Sequence, residues 1–111
     1  MKSKAKIDKK EFYKQLIGYQ NKFRRDLPIR LYLDIENTDY KILIEENRNT
    51  TMKFDGNFVI QIYNKYVRGM HRYLCDDIYI NLYKENIRTD YQFYKFIEKI
   101  VEKILEEKGE I

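Results

Sequence analysis

The middle of this chain alternates aliphatic residues with tyrosines, and this two-residue period is typical of β-strands. The alternation runs through residues 29–36, 58–63 and 78–84, and the tyrosines that take part in it are Tyr32, Tyr63, Tyr79 and Tyr83. Successive side chains of a strand point to opposite faces of the sheet. One face is therefore predicted to be an aliphatic core face and the other a tyrosine-bearing surface. A solvated sheet face does not need tyrosines, so this surface is the best candidate for binding.

Two helical segments are predicted on either side of the strands. Asp8 and Glu11 stand three apart, as in a capping box, and apolar residues at helical spacing follow them to about Asp26, before Pro28. Thr89 and Gln92 form a second such pair. The apolar stripe that follows this second pair consists of Phe93, Phe96, Ile97, Ile100, Val101, Ile104 and Leu105. A stripe this wide must be buried, and the aliphatic face of the sheet is the natural surface to bury it.

The remaining segments are predicted from their turn signals. Residues 40–46 alternate as a strand, and Asp55-Gly56 predicts a hairpin that pairs residues 51–54 with 58–63. Residues 64–75 allow two interpretations. Val67, Met70 and Leu74 share a face if the segment is helical, whereas a turn at Arg68-Gly69 would make it a hairpin. A glycine inside a helix is unfavourable, which tips the prediction slightly towards strands.

Together these patterns predict an α+β fold. We expect an antiparallel sheet of about five or six strands, flanked by an N-terminal and a C-terminal helix packed on one face. The length of 111 residues fits one domain, which we place at residues 8–108 after a disordered basic arm at residues 1–7.

The positive charge of the chain is concentrated near its N-terminus. The net charge is +4, yet residues 1–30 contain ten basic residues against three acidic ones, so the rest is close to neutral. Such an arm favours a polyanion such as nucleic acid, or serves only as a solvating tail. The single cysteine, Cys75, fits a reducing compartment, and no apolar run is long enough to span a membrane. We therefore expect a cytoplasmic protein.

The predicted binding residues are the tyrosines of the sheet and the basic residues expected near them. They are Tyr32, Tyr63, Tyr79, Tyr83, Lys41, Lys65, Arg24 and Arg25. Tyrosines on a sheet can pair across strands for stability, form a protein interface or stack on nucleic-acid bases. Arg24 and Arg25 end the first predicted helix, where the helix dipole alone favours a positive charge.

Catalysis has little support in the sequence. His71 and Cys75 stand four apart, and the carboxylates of Asp34 and Glu36 share a strand face. One His and one Cys are too few ligands for a zinc site, and no phosphate-binding loop or nucleophile motif is present. We therefore predict no enzymatic activity, no cofactor and no metal.

The near-neutral, tyrosine-rich body favours a small non-catalytic protein-interaction module. A composition rich in Lys, Ile, Asn and Tyr is frequent in phage and mobile-element proteins, so we expect an inhibitor or accessory factor of a larger nucleic-acid-handling protein. The alternative is a protein that binds nucleic acid directly through the tyrosine-bearing face and the basic arm. The partners expected are thus a protein or a nucleic acid and not a membrane, while an open sheet face or edge also allows a homodimer.

Overall fold

The protein is an α+β domain built on one curled antiparallel sheet with an N-terminal and a C-terminal helix, as predicted. The computed structural model describes residues 6–20, 28–47 and 56–111. The strands are β1 (Lys6–Ile7), β2 (Arg30–Glu36), β3 (Tyr40–Glu46), β4 (Asn57–Asn64) and β5 (Ile78–Asn81). They lie in the order β1-β2-β3-β4-β5, and each pairs antiparallel with its neighbours. The helices are α1 (Lys9–Gln20) and α2 (Asp90–Glu107).

The inner face of the sheet consists of aliphatic side chains aligned in rows across the strands. The register places Leu31 opposite Ile44 and Ile44 opposite Ile60, so one row crosses three strands. A parallel row joins Leu33, Ile42 and Ile62. All six side chains are buried. Full burial of each such side chain contributes roughly 1.5–3 kcal/mol, so these rows are the main source of stability in the sheet.

Aromatic contacts join both helices to this inner face. The Phe12 ring of α1 packs edge-on against Phe93 and Tyr94 of α2, at centroid distances of 5.6 and 5.4 Å. Phe93 in turn lies 5.1 Å from the ring of Phe58 in β4. Three fully or nearly fully buried phenylalanines thus connect α1, α2 and the sheet in a continuous chain.

The start of α2 forms as its sequence predicts. The backbone N–H of Gln92 donates to Thr89 Oγ1 at 3.1 Å, and Gln92 Oε1 accepts from the Thr89 N–H at 3.3 Å, which completes a capping box. The buried face of the helix also includes Tyr94, which the predicted apolar stripe left out. A tyrosine can be buried when its hydroxyl finds a partner, and Tyr94 Oη lies 2.8 Å from the Ile7 carbonyl oxygen.

In the predicted hairpin between residues 51–54 and 58–63, the second segment is part of β4, which pairs with β3 and with β5. Phe58 lies opposite Glu46 of β3 on one side and opposite Ile80 of β5 on the other. Both edges of this part of β4 are therefore occupied, and no edge remains for another strand. Residues 51–54 themselves lie outside the described part of the chain.

Residues 64–75 form neither the long helix nor the paired hairpin. Asn64 Oδ1 accepts from the Tyr66 N–H at 2.9 Å and closes a turn, and Gly69 adopts a positive φ of 85° before a short 3-10 helix, Met70–Arg72. The chain then returns to β4, where Tyr73 bridges Tyr63. Asparagine and glycine supply this turn chemistry, which neither regular structure accommodates.

The N-terminal end of the sheet also differs from the prediction. Lys6 and Ile7, expected to be part of a disordered arm, pair with Glu36 and Ile35 as β1. Burial of the Ile7 side chain favours this pairing. Residues 1–5 and the predicted end of the first helix, residues 21–27, lie outside the described residues. No helix in the described segments is long and apolar enough to cross a bilayer.

Replacing Tyr94 with phenylalanine tests the contact between α2 and β1. The hydroxyl has one proton and two acceptors at 2.8 Å, the Ile7 carbonyl and Glu98 Oε2. We expect Tyr94→Phe to lower the free energy of unfolding by about 1 kcal/mol at neutral pH. Urea denaturation measures this change, and Tyr91→Phe, whose ring is half exposed on the same helix, is the matched control. An equal loss in both variants would contradict a specific role for the Tyr94 hydroxyl.

The same variant has a predicted pH dependence. Burial, and next the hydrogen bond to Glu98, raise the pKa of Tyr94 far above its usual value. Above about pH 10 the unfolded chain has lost a proton that the folded chain still holds, so the free energy of unfolding falls as pH rises. Tyr94→Phe should therefore lose less stability than the wild type between neutral pH and about pH 11. Some slope remains, because burial also raises the pKa values of Tyr40 and Tyr63.

Candidate functional site

The outer face of the sheet, opposite the helices, brings together four of the predicted binding residues. We define the outer face by three rows read across β2, β3 and β4. The rows are Arg30, Glu45 and Val59; Tyr32, Leu43 and Gln61; and Asp34, Lys41 and Tyr63. Tyr79 of β5 extends the first row beside Val59. Tyr32, Lys41, Tyr63 and Tyr79 thus share one surface, with Tyr32 and Tyr79 the more exposed, at 44% and 68%.

Positive charges on the outer face are matched by carboxylates. Asp34 Oδ1 lies 3.6 Å from Lys65 Nζ and 3.9 Å from Lys41 Nζ, which brings the predicted residue Lys65 from the turn after β4 onto this face. Across the sheet, Glu45 Oε2 accepts from Arg30 Nε and Nη2 at 3.2 and 3.0 Å. Ion pairs this exposed add little stability, yet they neutralise the cations that a phosphate backbone would need.

A stacked group of three side chains borders the outer face beyond β4. The guanidinium carbon of Arg72 lies 5.5 Å from the Tyr63 ring centroid and 4.9 Å from that of Tyr73. Arg72 Nη2 also donates to the Tyr73 hydroxyl at 2.7 Å. Among the described residues no carboxylate pairs with Arg72, so its charge is balanced only by the two rings. Burial raises the pKa of Tyr63, which remains a neutral phenol at physiological pH.

Residues 65–72, which we call the exposed loop, present large apolar side chains to solvent. Met70 is 84% exposed, Tyr66 73% and Val67 40%. The sequence signals in this segment were the helical spacing of Val67, Met70 and Leu74 and the turn pair Arg68-Gly69, and neither predicted that the apolar side chains would be exposed to solvent. The loop is also basic, because it contains Lys65, Arg68 and Arg72, and no acidic residue occurs between positions 65 and 75.

Three predicted binding residues remain, and the structure describes one of them, Tyr83. Arg24 and Arg25 lie outside the described residues. Tyr83 was expected on a strand over residues 78–84, but β5 ends at Asn81, whose Oδ1 accepts from the N–H groups of Tyr83 and Lys84, both at 3.0 Å. The Tyr83 ring lies instead against Gly56, where an added Cβ would stand 2.8 Å from Tyr83 Cε2.

The residues considered for catalysis lie on the segment after β4 and on β2. His71 is exposed on the 3-10 helix, and burial raises the pKa of the Cys75 thiol, which disfavours the nucleophilic thiolate. Of the two carboxylates on β2, Asp34 contacts the lysines described above, while Glu36 lies opposite Lys6. In the described segments, no three His, Cys, Asp or Glu side chains are grouped so as to hold a metal ion.

Comparisons with models of protein families, with characterised proteins and with solved structures find no match for this chain.

The contact between Gly56 and Tyr83 predicts a coupled effect on stability. Gly56 has a φ of 78°, so Gly56→Ala introduces both backbone strain and a clash with the Tyr83 ring. We expect Gly56→Ala to destabilise the wild type by more than about 2 kcal/mol, the strain and the clash together, and by only about 1–2 kcal/mol, the strain alone, when Tyr83 is also replaced by alanine. A double-mutant cycle by chemical denaturation measures the difference.

A second glycine supplies the control for this cycle. Gly18 lies in α1 with no atom within 4 Å of an added Cβ, so Gly18→Ala should stabilise the protein by roughly 0.5–1 kcal/mol. If Gly56→Ala costs the same with and without the Tyr83 ring, the ring does not pack on residue 56.

Proposed function

We propose that the protein is a small protein-interaction module whose binding surface combines the outer face with the exposed loop. The observation that carries this proposal is the exposure of Met70 and Tyr66 beside the stacked Arg72. Exposed aromatic and methionine side chains next to arginine are the residue types enriched at protein interfaces. Tyrosine and arginine are also among the residues that contribute most of the binding energy.

Charge supports a protein partner over nucleic acid at this surface. The cations of the sheet contact Asp34 and Glu45, so the outer face offers a phosphate backbone few free positive charges. In the exposed loop, Lys65 contacts Asp34, whereas Arg68 and Arg72 form no ion pair in the described part of the chain and lie next to apolar residues. A complementary partner surface therefore has an apolar pocket for Tyr66 and Met70, with acidic residues around its rim.

We further propose that the module acts as an inhibitor or accessory factor of a larger nucleic-acid-handling protein. Its small size and lack of a recognisable catalytic motif suit a protein that acts by binding. The basic N-terminal segment supports a partner that itself holds nucleic acid, because it would add attraction to the polyanion in such a complex.

Site-specific photocrosslinking tests the location of the surface. Benzoylphenylalanine placed at Tyr66 should crosslink to a discrete protein in cells that produce the chain. The same group placed at Ile17, a residue of α1 that is 44% exposed, should not give that product. Identical products from both positions would contradict the proposed surface, and a crosslink confined to a second copy of this chain would assign the surface to self-association instead.

Substitutions then test the energetic prediction with the crosslinked partner in purified form. Met70→Ala and Tyr66→Ala should each raise Kd about thirtyfold, the equivalent of about 2 kcal/mol for an interface hot spot. Ile17→Ala, which truncates a partly exposed apolar side chain of α1, should leave Kd unchanged. Circular dichroism of each variant confirms folding, and unchanged binding by both loop variants would overturn the proposal.

A further inference from the structure

A groove lined by lysines lies on the helix side of the protein, away from the outer face. It has a volume of about 500 Å³ and lies where β1, the start of α1 and residues 91–102 of α2 meet. Its lining residues are Lys6, Lys9, Tyr91, Tyr94, Lys95, Glu98, Lys99 and Glu102. Four lysines and two glutamates give this lysine groove a net formal charge of +2.

Most of the lysine ammonium groups in the groove are not neutralised. Glu98 Oε1 pairs with Lys95 at 3.5 Å, and its other oxygen lies against the Tyr94 hydroxyl. Lys6, Lys9 and Lys99 form no ion pair with any carboxylate in the described part of the chain. The lysine groove therefore differs from the outer face, where each basic side chain of β2 and β3 contacts a carboxylate.

Tyr91 holds two of these lysines in position. Its ring centroid lies 5.2 Å from Lys9 Nζ and 5.9 Å from Lys95 Nζ, within the range of cation–π attraction. The Lys9 ammonium also lies 5.9 Å from the ring of Tyr13. A cation attracted to a ring face keeps its remaining N–H donors available, so Lys9 is placed at the groove and still free to bind an anion.

We propose that the lysine groove binds the phosphate groups of a nucleic-acid backbone, without regard to base sequence. Lysine ammonium groups act as point charges towards phosphate, and neutralising several phosphates in a row gives sequence-independent affinity. Four lysines along one groove fit a polymer of phosphates better than a single phosphate. This proposal does not depend on the protein-interaction function of the outer face and exposed loop.

Fluorescence anisotropy with labelled single-stranded and duplex oligonucleotides of two unrelated sequences tests the proposal. We expect binding of both sequences with equal affinity, and a Kd that rises with salt concentration. Lys9→Gln combined with Lys99→Gln should raise Kd roughly tenfold. For a single strand, the slope of log K against log salt concentration should also become shallower, by about 0.7 for each phosphate that the variant no longer neutralises. The matched control, Lys84→Gln with Lys103→Gln, removes the same charge from exposed positions outside the groove and should change Kd far less.

A substitution of opposite sign separates the groove from general electrostatic attraction. Glu102→Gln removes a carboxylate from the groove lining and should tighten binding several-fold. Glu85→Gln, an exposed position outside the groove, should have little effect. Circular dichroism establishes that each variant is folded.

Competitors identify the ligand class. An unlabelled oligonucleotide should displace the probe far better than pyrophosphate or ATP at equal phosphate concentration. Displacement by ATP alone at low concentration would assign the groove to a free nucleotide, and equal displacement by polyglutamate would assign it to an acidic peptide. Either result would overturn the proposal, as would the absence of binding at low salt or equal weakening by the groove and control variants.

Discussion

The structure depends on burying one face of the sheet beneath two helices. An antiparallel sheet can leave one face in water only if the other is covered. The contact of Phe12 with Phe93, and of Phe93 with Phe58, provides this cover by connecting both helices to β4. Since these rings lie on the inner side, the outer side is left open to tyrosines and charged residues that the core does not need. The open outer face is thus a consequence of how the core is closed.

The two sides of the sheet also differ in whether their basic side chains are paired with carboxylates. On the outer face, cross-strand neighbours alternate in sign, so Arg30 meets Glu45 and Lys41 meets Asp34 in the register of the strands. On the helix side, Lys6 and Lys9 meet α2 only through the tertiary packing of its first turns. Lys6 lies opposite Glu36 in the register of β1 and β2, yet no ion pair between the two side chains forms in the described part of the chain, so the positive charge remains available to an anion.

Features that depend on residues close together in the sequence could be predicted, whereas features that depend on tertiary contacts could not. The alternation through Tyr32 and Tyr63 is local, and the strands formed as predicted. The prediction for Tyr83 was wrong because the Asn81 side chain accepts hydrogen bonds from the backbone that follows, which ends the strand despite its alternating pattern. Met70 could not be predicted as exposed, because an apolar residue at helical spacing is normally buried and only the tertiary fold shows otherwise.

The lysine groove was beyond sequence reasoning for a different reason. Lys9 and Lys95 approach the same Tyr91 ring although 86 positions separate them in the chain, and no spacing rule relates such residues. The one sequence signal for an anionic partner was the excess of positive charge near the N-terminus. The prediction built on it assigned nucleic-acid binding to the basic arm and the tyrosine-bearing face of the sheet.

The two proposed surfaces lie on opposite sides of the sheet, and this arrangement has a functional consequence. The helices that form the lysine groove cover the inner face, whereas the outer face and exposed loop remain free on the other side. A protein bound through Tyr66 and Met70 would therefore leave Lys6, Lys9 and Lys99 accessible. Under the two proposals, occupation of one surface would not exclude the other sterically, so one copy of the chain would contact both a nucleic-acid-handling protein and the nucleic acid that it holds. A module in which both ligands competed for the tyrosine-bearing face would force a choice between them.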